Sequence, residues 1–482
     1  MASTRAWWDD PVVAAEICEF EERIRRLETG EEDPEDFRRF RLENGVYGIR
    51  GTADLYMVRV KVRLGRLTAD QLEALADVAE RFVPQRVAHI TTRQDVQFHW
   101  VRRQDIPAVL RRLAEAGLTT REACGNTVRN VTACPFAGVS PEEPFDVTPY
   151  ADAVSRFFLR NPIAQNLPRK FKIAFEGCRT DHARTGIHDI GAVAAVQDGR
   201  PGFRLYVGGG LGPAPRQAVL LEPFTPAEDL LPTCEAIIRV FDRCGNRENR
   251  SRARLKFLVK EWGVERFVGA VLEQRRVVRS TRSGQALMAA AGMSQANGEQ
   301  PPDVALRPAP GFPRLPGYDR WLRRDIYQQK QEGWFTVVVR CPLGDITAGQ
   351  MRALAVIARQ FNGGRIRTAI TQDILLRWVP EPLLPQLYAA LLAAGLVRPS
   401  GEPGVEITCC PGAHTCNLAI TRSRGLAAAL REQLSDGLGL PRGAPARGGL
   451  PGLRGAGRTP FLSGTAGAAA ATYPIPGGCN PL

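Results

Sequence analysis

Only five histidines occur in the 482 residues, His89, His99, His182, His188 and His414, and none stand in an HxxxH or similar spacing, which argues against a mononuclear metal centre. No apolar run approaches the roughly eighteen residues of a membrane span. The amino terminus, MASTRAWWDDPVVAAEICEF, lacks a basic segment followed by an apolar one, so the expectation is a cytoplasmic protein with no membrane partner. No GxGxxG follows a strand and opens a helix, which excludes a built-in flavin or nicotinamide site. The net charge is +13, yet no Lys or Arg tract with interleaved aromatics, helix-turn-helix or RNP signature accompanies it. Nucleic acid is therefore a weak reading, and the arginine-rich excess suits small anions, acidic cofactors or an acidic protein. The eleven cysteines form an odd set without a disulfide rhythm. In a reducing compartment most of them read as buried small hydrophobes, and tight clusters read as metal candidates.

The chain repeats itself. YMVRVKVRLGRLTADQLEALADVAERF, VAHITTRQDVQFHWV and IPAVLRRLAEAGL, from Tyr56, are echoed from Trp334 by WFTVVVRCPLGDITAGQMRALAVIARQF, IRTAITQDILLRWV and LPQLYAALLAAGL. YMVRVKV and WFTVVVR have the period-two alternation of half-buried strands. The segments that follow each open on a Thr able to cap a helix and carry apolar residues three and four apart. A second strand is expected to carry Gln94-Asp95 in one copy and Gln372-Asp373 in the other. A two-strand, two-helix unit used twice predicts a pseudo-symmetric α+β molecule. Gly284 to Pro316, rich in Gly, Ala and Pro, reads as a linker.

Four cations fall at predicted strand ends or loops: Arg93 in ITTRQDVQFHW, Arg129 in GNTVRNVTACP, and Lys170 and Lys172 in LPRKFKIAFEG. Two residues apart on an extended segment, the lysines can aim at one anion. Taken singly, each is better explained as a solvated surface charge. Cys410 and Cys416 form a C-x5-C pair with Cys409 adjacent. Two thiolates this close can share an iron cluster, although a cubane takes four and structural cysteines explain a lone pair equally well. Gly208, Gly209 and Gly210 open GGGLG after a strand, either a plain turn or a loop where backbone approaches a ligand closely.

The ordered set TTRQ, NxxRNVTACP, PRKFK, GGGLG and CPGxxTCN on a duplicated framework, over roughly residues 45 to 435, resembles the sirohaem- and [4Fe–4S]-dependent sulfite/nitrite reductase family of ferredoxin type. The resemblance implies pseudo-two-fold ferredoxin-like half-domains bracing α+β catalytic domains that hold sirohaem and a [4Fe–4S] cluster, the last of those domains cut short. By matching motif it implies Arg93, Arg129, Lys170 and Lys172 around the anion on the distal face of the sirohaem. It further implies Gly208 to Gly210 as the loop whose amides approach the cofactor's carboxylates, and Cys410 and Cys416 as the first two cluster ligands. The implied reaction is six-electron reduction of sulfite to sulfide or of nitrite to ammonia, with electrons from an acidic ferredoxin-like donor. Two other classes compete: a precorrin-3B synthase-like oxygenase of cobalamin synthesis, against which PRKFK and the full basic quartet argue, and an inactive remnant of the scaffold.

The expected organisation is a helical extension over 1–45, half-domains over 46–122 and 317–400, a sirohaem-binding domain over 123–283, the linker over 284–316, and the start of a second catalytic domain over 401–440. The family pattern carries a second pair, C-x3-C, beyond the first, and none occurs here. Instead, Pro441 to Leu482 contains 29 Gly, Ala, Pro or Arg among 42 residues and no Asp, Glu or Lys, a composition unsuited to further strands and helices. The expectation is an out-of-frame or truncated terminus, with Cys479 unable to complete the set and cluster binding consequently poor.

Overall fold

The computed structural model describes residues 10–398, 407–417 and 419–436; the tail over 441–482, including Cys479, lies outside the described residues. Two helices come first, Pro11–Glu28 and Pro34–Glu43, each opened by an aspartate, Asp10 or Asp33, whose carboxylate accepts from the free amides of the first turn.

The first half then supplies β1 (Val46–Gly48), β2 (Leu55–Val60), β3 (Arg66–Thr68), a helix over Ala69–Phe82, β4 (Val87–Ile90), β5 (Val96–Arg102) and a helix over Ile106–Glu115. The middle supplies β6 (Thr132–Ala133), β7 (Ile173–Glu176), β8 (Ile190–Gln197), β9 (Arg200–Val207) and β10 (Val219–Pro226), with helices packed alongside. The second half repeats the first as β11 (Ile326–Gln328), β12 (Trp334–Val339), β13 (Asp345–Thr347), a helix over Ala348–Asn362, β14 (Arg365–Thr368), β15 (Ile374–Pro380) and a helix over Leu384–Ala393. The two long helices start alike: Thr68 with Gln71, and Thr347 with Gln350, each form a reciprocal capping box.

The halves interlock. One sheet runs β1-β2-β5-β4-β13 and another β11-β12-β15-β14-β3, so each half lends a three-residue strand to the other's sheet. Ile346 pairs with Ala88 and Leu67 with Ile366. One apolar core spans both halves and the amino-terminal helices, running from Phe20 and Val58 to Leu354 and Leu387. The middle sheet, β10-β9-β8-β7-β6, is parallel only at its β6-β7-β8 end and has a core of its own around Phe175, Phe203 and Phe241.

The Gln-Asp pairs sit in tight turns, between β4 and β5 and between β14 and β15, and not within strands as their sequence context suggested. Gln94 (φ 59°) and Gln372 (φ 71°) adopt the left-handed conformation that ends a strand. Each glutamine reaches across the pseudo-two-fold. Gln94 Nε2 donates to Thr368 O and Ala133 O, both at 2.9 Å, and Gln372 Nε2 donates to Ile90 O at 2.8 Å. Opposite them, a Cβ at Gly65 would lie 2.4 Å from Thr368 O, and one at Gly344 2.7 Å from Ile90 O, so both crossings require glycine.

Within the segment read as a linker, Gln285–Asn297 is helical, and its Met288 and Ala291 join the middle core. Its alanines favour helix, and the two buried side chains give it somewhere to pack. No described helix is long and apolar enough to cross a membrane.

Candidate functional site

The turn between β4 and β5 aims Arg93 inward. Thr91 Oγ1 accepts from the amides of Arg93 and Asp95, both at 3.1 Å, which closes the turn and sends the Arg93 side chain towards the middle sheet. There Arg93 Nη1 donates to Thr132 Oγ1 at 3.3 Å, and Nη2 to His188 Nε2 at 2.5 Å. His188 Nδ1 lies 2.7 Å from Arg184 O and so carries the proton, leaving Nε2 as an acceptor. Burial, and then the neighbouring Arg93 and Lys172, hold this imidazole well below its ordinary range, hence neutral. Burial also draws the Arg93 guanidinium down to about 9, and its Nε is buried without a partner.

Lys170 and Lys172 lie immediately before β7. Lys172 is buried and Lys170 half-buried, and neither ammonium has a hydrogen bond or close ion pair among the described residues, although the Asp189 charge acts on Lys172. The Lys172 amide is tied to Asp189 Oδ2 at 2.8 Å, and the same carboxylate receives Arg254 Nη2 at 2.8 Å. Both ammoniums are held well below the ordinary lysine range, first by burial and then by nearby cations: Arg129 and Arg254 for Lys170, Arg93 and Lys170 for Lys172. Crowding buried cations with so few anions is costly unless an anionic ligand joins them.

Arg129 is placed differently. Its fork is taken up by the carbonyls of Ala123 (3.0 Å) and Gly125 (3.1 and 3.0 Å), with the Tyr47 hydroxyl at 3.4 Å. It adds charge to the cluster from a fixed position, and most of its donors are already spent.

The glycine loop departs from the sequence expectation. The amides of Gly208, Gly209 and Gly210 donate to Asp189 O, His188 O and Arg216 O at 3.0, 2.9 and 2.9 Å, so none is left to meet a ligand. What glycine permits here is close approach: a Cβ at Gly209 would stand 2.5 Å from Gly186 O and 2.7 Å from His188 O. The loop's carbonyls instead hold Lys256, whose Nζ is 2.9 Å from Leu211 O and 2.7 Å from Ala214 O, and whose ammonium burial draws down to about 8.

Cys410 and Cys416 sit in a loop docked on β1 and its exit: Arg50 N donates to Thr415 O at 3.1 Å, and Asn417 Nδ2 to Gly48 O at 3.0 Å. Since Tyr47 of the same strand touches Arg129, the cysteine loop and the cation cluster flank one strand. Cys410 Sγ lies 3.4 Å from Ser423 Oγ. Cys409 is buried with its amide on Gln372 Oε1 at 3.0 Å, and burial pushes its thiol up to about 11. Among the described residues, no group of three or more potential metal ligands includes Cys410 or Cys416.

Sequence reading missed His188, Asp189, Arg254, Lys256 and Arg59, a buried cation whose charge acts on Lys170. Only Arg59 left a signal: on β2 it occupies the place that Val338 holds on β12, and a buried arginine where the duplicate has valine marks a departure from mere packing.

The Nitrite and sulphite reductase 4Fe-4S domain matches residues 124–278, and the Nitrite/Sulfite reductase ferredoxin-like half domain matches 47–116 and 327–394. A ferredoxin–nitrite reductase of Synechococcus elongatus is 33% identical over 85% of this chain and 76% of its own length. The assimilatory ferredoxin-dependent nitrite reductase of Haloferax mediterranei is 30% identical over 92% of this chain and 75% of its own. Sulfite reductase [ferredoxin] 1 of Mycolicibacterium paratuberculosis is 30% identical over 77% and 61%. The solved structure of the Mycobacterium tuberculosis NirA protein superposes with a TM-score of 0.69 at 26% identity, over 87% of this chain and 74% of that one.

Proposed function

Since the chain belongs to the nitrite and sulphite reductase family, a family of oxidoreductases, we propose that its cation cluster binds sirohaem by the carboxylates and holds sulfite or nitrite beside it for six-electron reduction. The observation that carries this reading is the pair Lys170 and Lys172, two neighbouring ammoniums without an ion pair among the described residues, the nearby Asp189 carboxylate being shared with Arg254. The unpartnered Nε of Arg93 points to the same missing anion. A carboxylate-bearing macrocycle and an oxyanion fit this donor set.

When bound, sirohaem would be held by the carboxylates at this cation cluster and would supply the redox chemistry. The protein's part is electrostatic and protonic. Arg93, oriented by neutral His188, donates to the oxyanion and neutralises charge as it develops. Lys170 and Lys172, with proton affinities lowered by burial and by each other's surroundings, are suited to give a proton to a departing oxygen and recover it from solvent on the half-buried Lys170 side. Arg129 and the Arg254–Asp189 pair fix the rim.

The cluster is another matter. A cubane takes four thiolates, and beyond the half-domains this sequence offers Cys410 and Cys416, Cys409 next to Cys410 with its amide on Gln372, and Cys479, which lies outside the described residues. Among the described residues this loop does not bring together the four thiols that a [4Fe–4S] cluster takes, and incomplete cluster loading would slow turnover. The +13 charge suits docking of an acidic ferredoxin, the donor named for the relatives. An assay with reduced methyl viologen on protein reconstituted with sirohaem tests the reading. Slow consumption of nitrite or sulfite that Lys172→Met abolishes is expected; no anion binding to the reconstituted protein would refute it.

A further inference from the structure

At the opposite ends of the same two parallel strands lies a second cluster. Thr132 and Ala133 of β6 pair with Ala174 and Phe175 of β7, so Cys134 emerges beside Glu176, one strand length from Lys172. The loop 177–189 then folds Cys178 and His182 back over them. Cys134 Sγ is 3.5 Å from Cys178 Sγ and 3.6 Å from His182 Nδ1, and the ligating atoms of all four residues lie within 4.8 Å of one another.

We propose that Cys134, Cys178, His182 and Glu176 form a tetrahedral zinc site that pins this loop, a proposal independent of the reductase reading. Zinc bonds of about 2.3 Å to sulfur and 2.0–2.1 Å to nitrogen give tetrahedral edges of about 3.8 Å between sulfurs and about 3.6 Å from sulfur to nitrogen, close to the separations found. A disulfide, at about 2.05 Å, would need the two sulfurs to close most of that gap. Cys134, Cys178 and Glu176 are buried, and His182 is half-buried against the Phe136 ring. Glu176 accepts from the amides of Gly177, Cys178 and Ala183 at 2.8–2.9 Å, which fixes its carboxylate, yet no cationic side chain pairs with it among the described residues. A dication would offset most of the negative charge that this carboxylate and two thiolates bring together. On binding, zinc replaces the protons of the two thiols, which leave to solvent, and no electron is exchanged.

The site bears on the cation cluster through the chain itself. The loop that it anchors ends in His188 and Asp189, which orient Arg93 and hold Arg254. Zinc is therefore a positioning element for the pocket, placed away from it.

Elemental analysis of the full-length protein tests the proposal, with zinc counted separately from iron. Near-stoichiometric zinc is expected, with at least a tenfold loss in Cys178→Ser and His182→Ala but not in Cys244→Ser, which alters an exposed cysteine. Should those variants not fold, cobalt(II) added to chelator-stripped wild type serves instead: an intense thiolate-to-cobalt band with tetrahedral d–d absorption supports the site. Wild type free of zinc and silent with cobalt, zinc retained in Cys178→Ser, or a Cys134–Cys178 disulfide found by mass spectrometry would each overturn it.

Discussion

The turn between β4 and β5 reads Thr-Thr-Arg-Gln-Asp and its counterpart between β14 and β15 reads Ala-Ile-Thr-Gln-Asp, in otherwise matching halves. The glutamines perform the same work in both, and each aspartate accepts a backbone amide, although Asp373 also pairs with Arg340. Gln94 binds Thr368 O and the Ala133 backbone, Gln372 binds Ile90 O and the Cys409 amide, Asp95 accepts from Val62 N, and Asp373 from Cys341 N. The arginine has no such counterpart: where Arg93 enters the cation cluster, Thr371 only donates to Asp373. Arg59 and Val338 differ in the same sense. Duplication thus accounts for the frame, and the candidate chemistry lies where the copies diverge.

Removing the side chain at the divergent position should have the largest effect. Arg93→Ala should weaken nitrite or sulfite binding to sirohaem-loaded protein roughly 100-fold, the upper end of what a charged hydrogen bond contributes. Thr371→Ala should leave it unchanged; comparable losses in both, measured by spectroscopic anion titration, would dissolve the distinction. Gln94→Ala and Gln372→Ala should each cost about 2–3 kcal/mol, because each strands buried backbone groups. Matching shifts in denaturant midpoint are expected, and a loss confined to one half would show that the frame is not shared.

A smaller effect concerns His89, which has no counterpart in the second half. Its Nε2 accepts from Gln372 at 3.1 Å, its Nδ1 donates to Asp345 at 3.0 Å, and burial draws its pKa down to about 3. The unfolded chain therefore binds this proton first, and stability from this group is lost as pH falls from about 6.5 towards 3. Between pH 7 and 5 the wild type should lose roughly 1–2 kcal/mol more than His89→Gln; parallel stability curves would count against it. Smallest are the capping boxes. Thr68→Ala and Thr347→Ala should each cost about 1 kcal/mol, equally, in thermal melts.

The doubled frame was legible because each copy spells out the same strand, Thr-initiated helix and strand. The exchange of β3 and β13 was not: three residues each, they leave no periodic signal, and their partners lie in the other half. The basic quartet could be singled out by motif, but His188, Arg254 and Lys256 stand singly in sequence and gather only through the loops that follow β7 and β9. Expecting free amides at Gly208 to Gly210 failed because composition tells that backbone can come close, and hydrogen bonding decides to what. The linear spacing of the histidines likewise hid His182, which meets Cys134 and Cys178 only after the strands pair.

Anion titration of sirohaem-loaded full-length protein and of its Lys170→Met/Lys172→Met variant decides whether the ammoniums before β7 receive an anion over a carboxylated macrocycle. A saturable spectral shift with nitrite or sulfite in the first, and its loss in the second with the macrocycle still bound, is the predicted result. Equal anion affinity in the two proteins would contradict it.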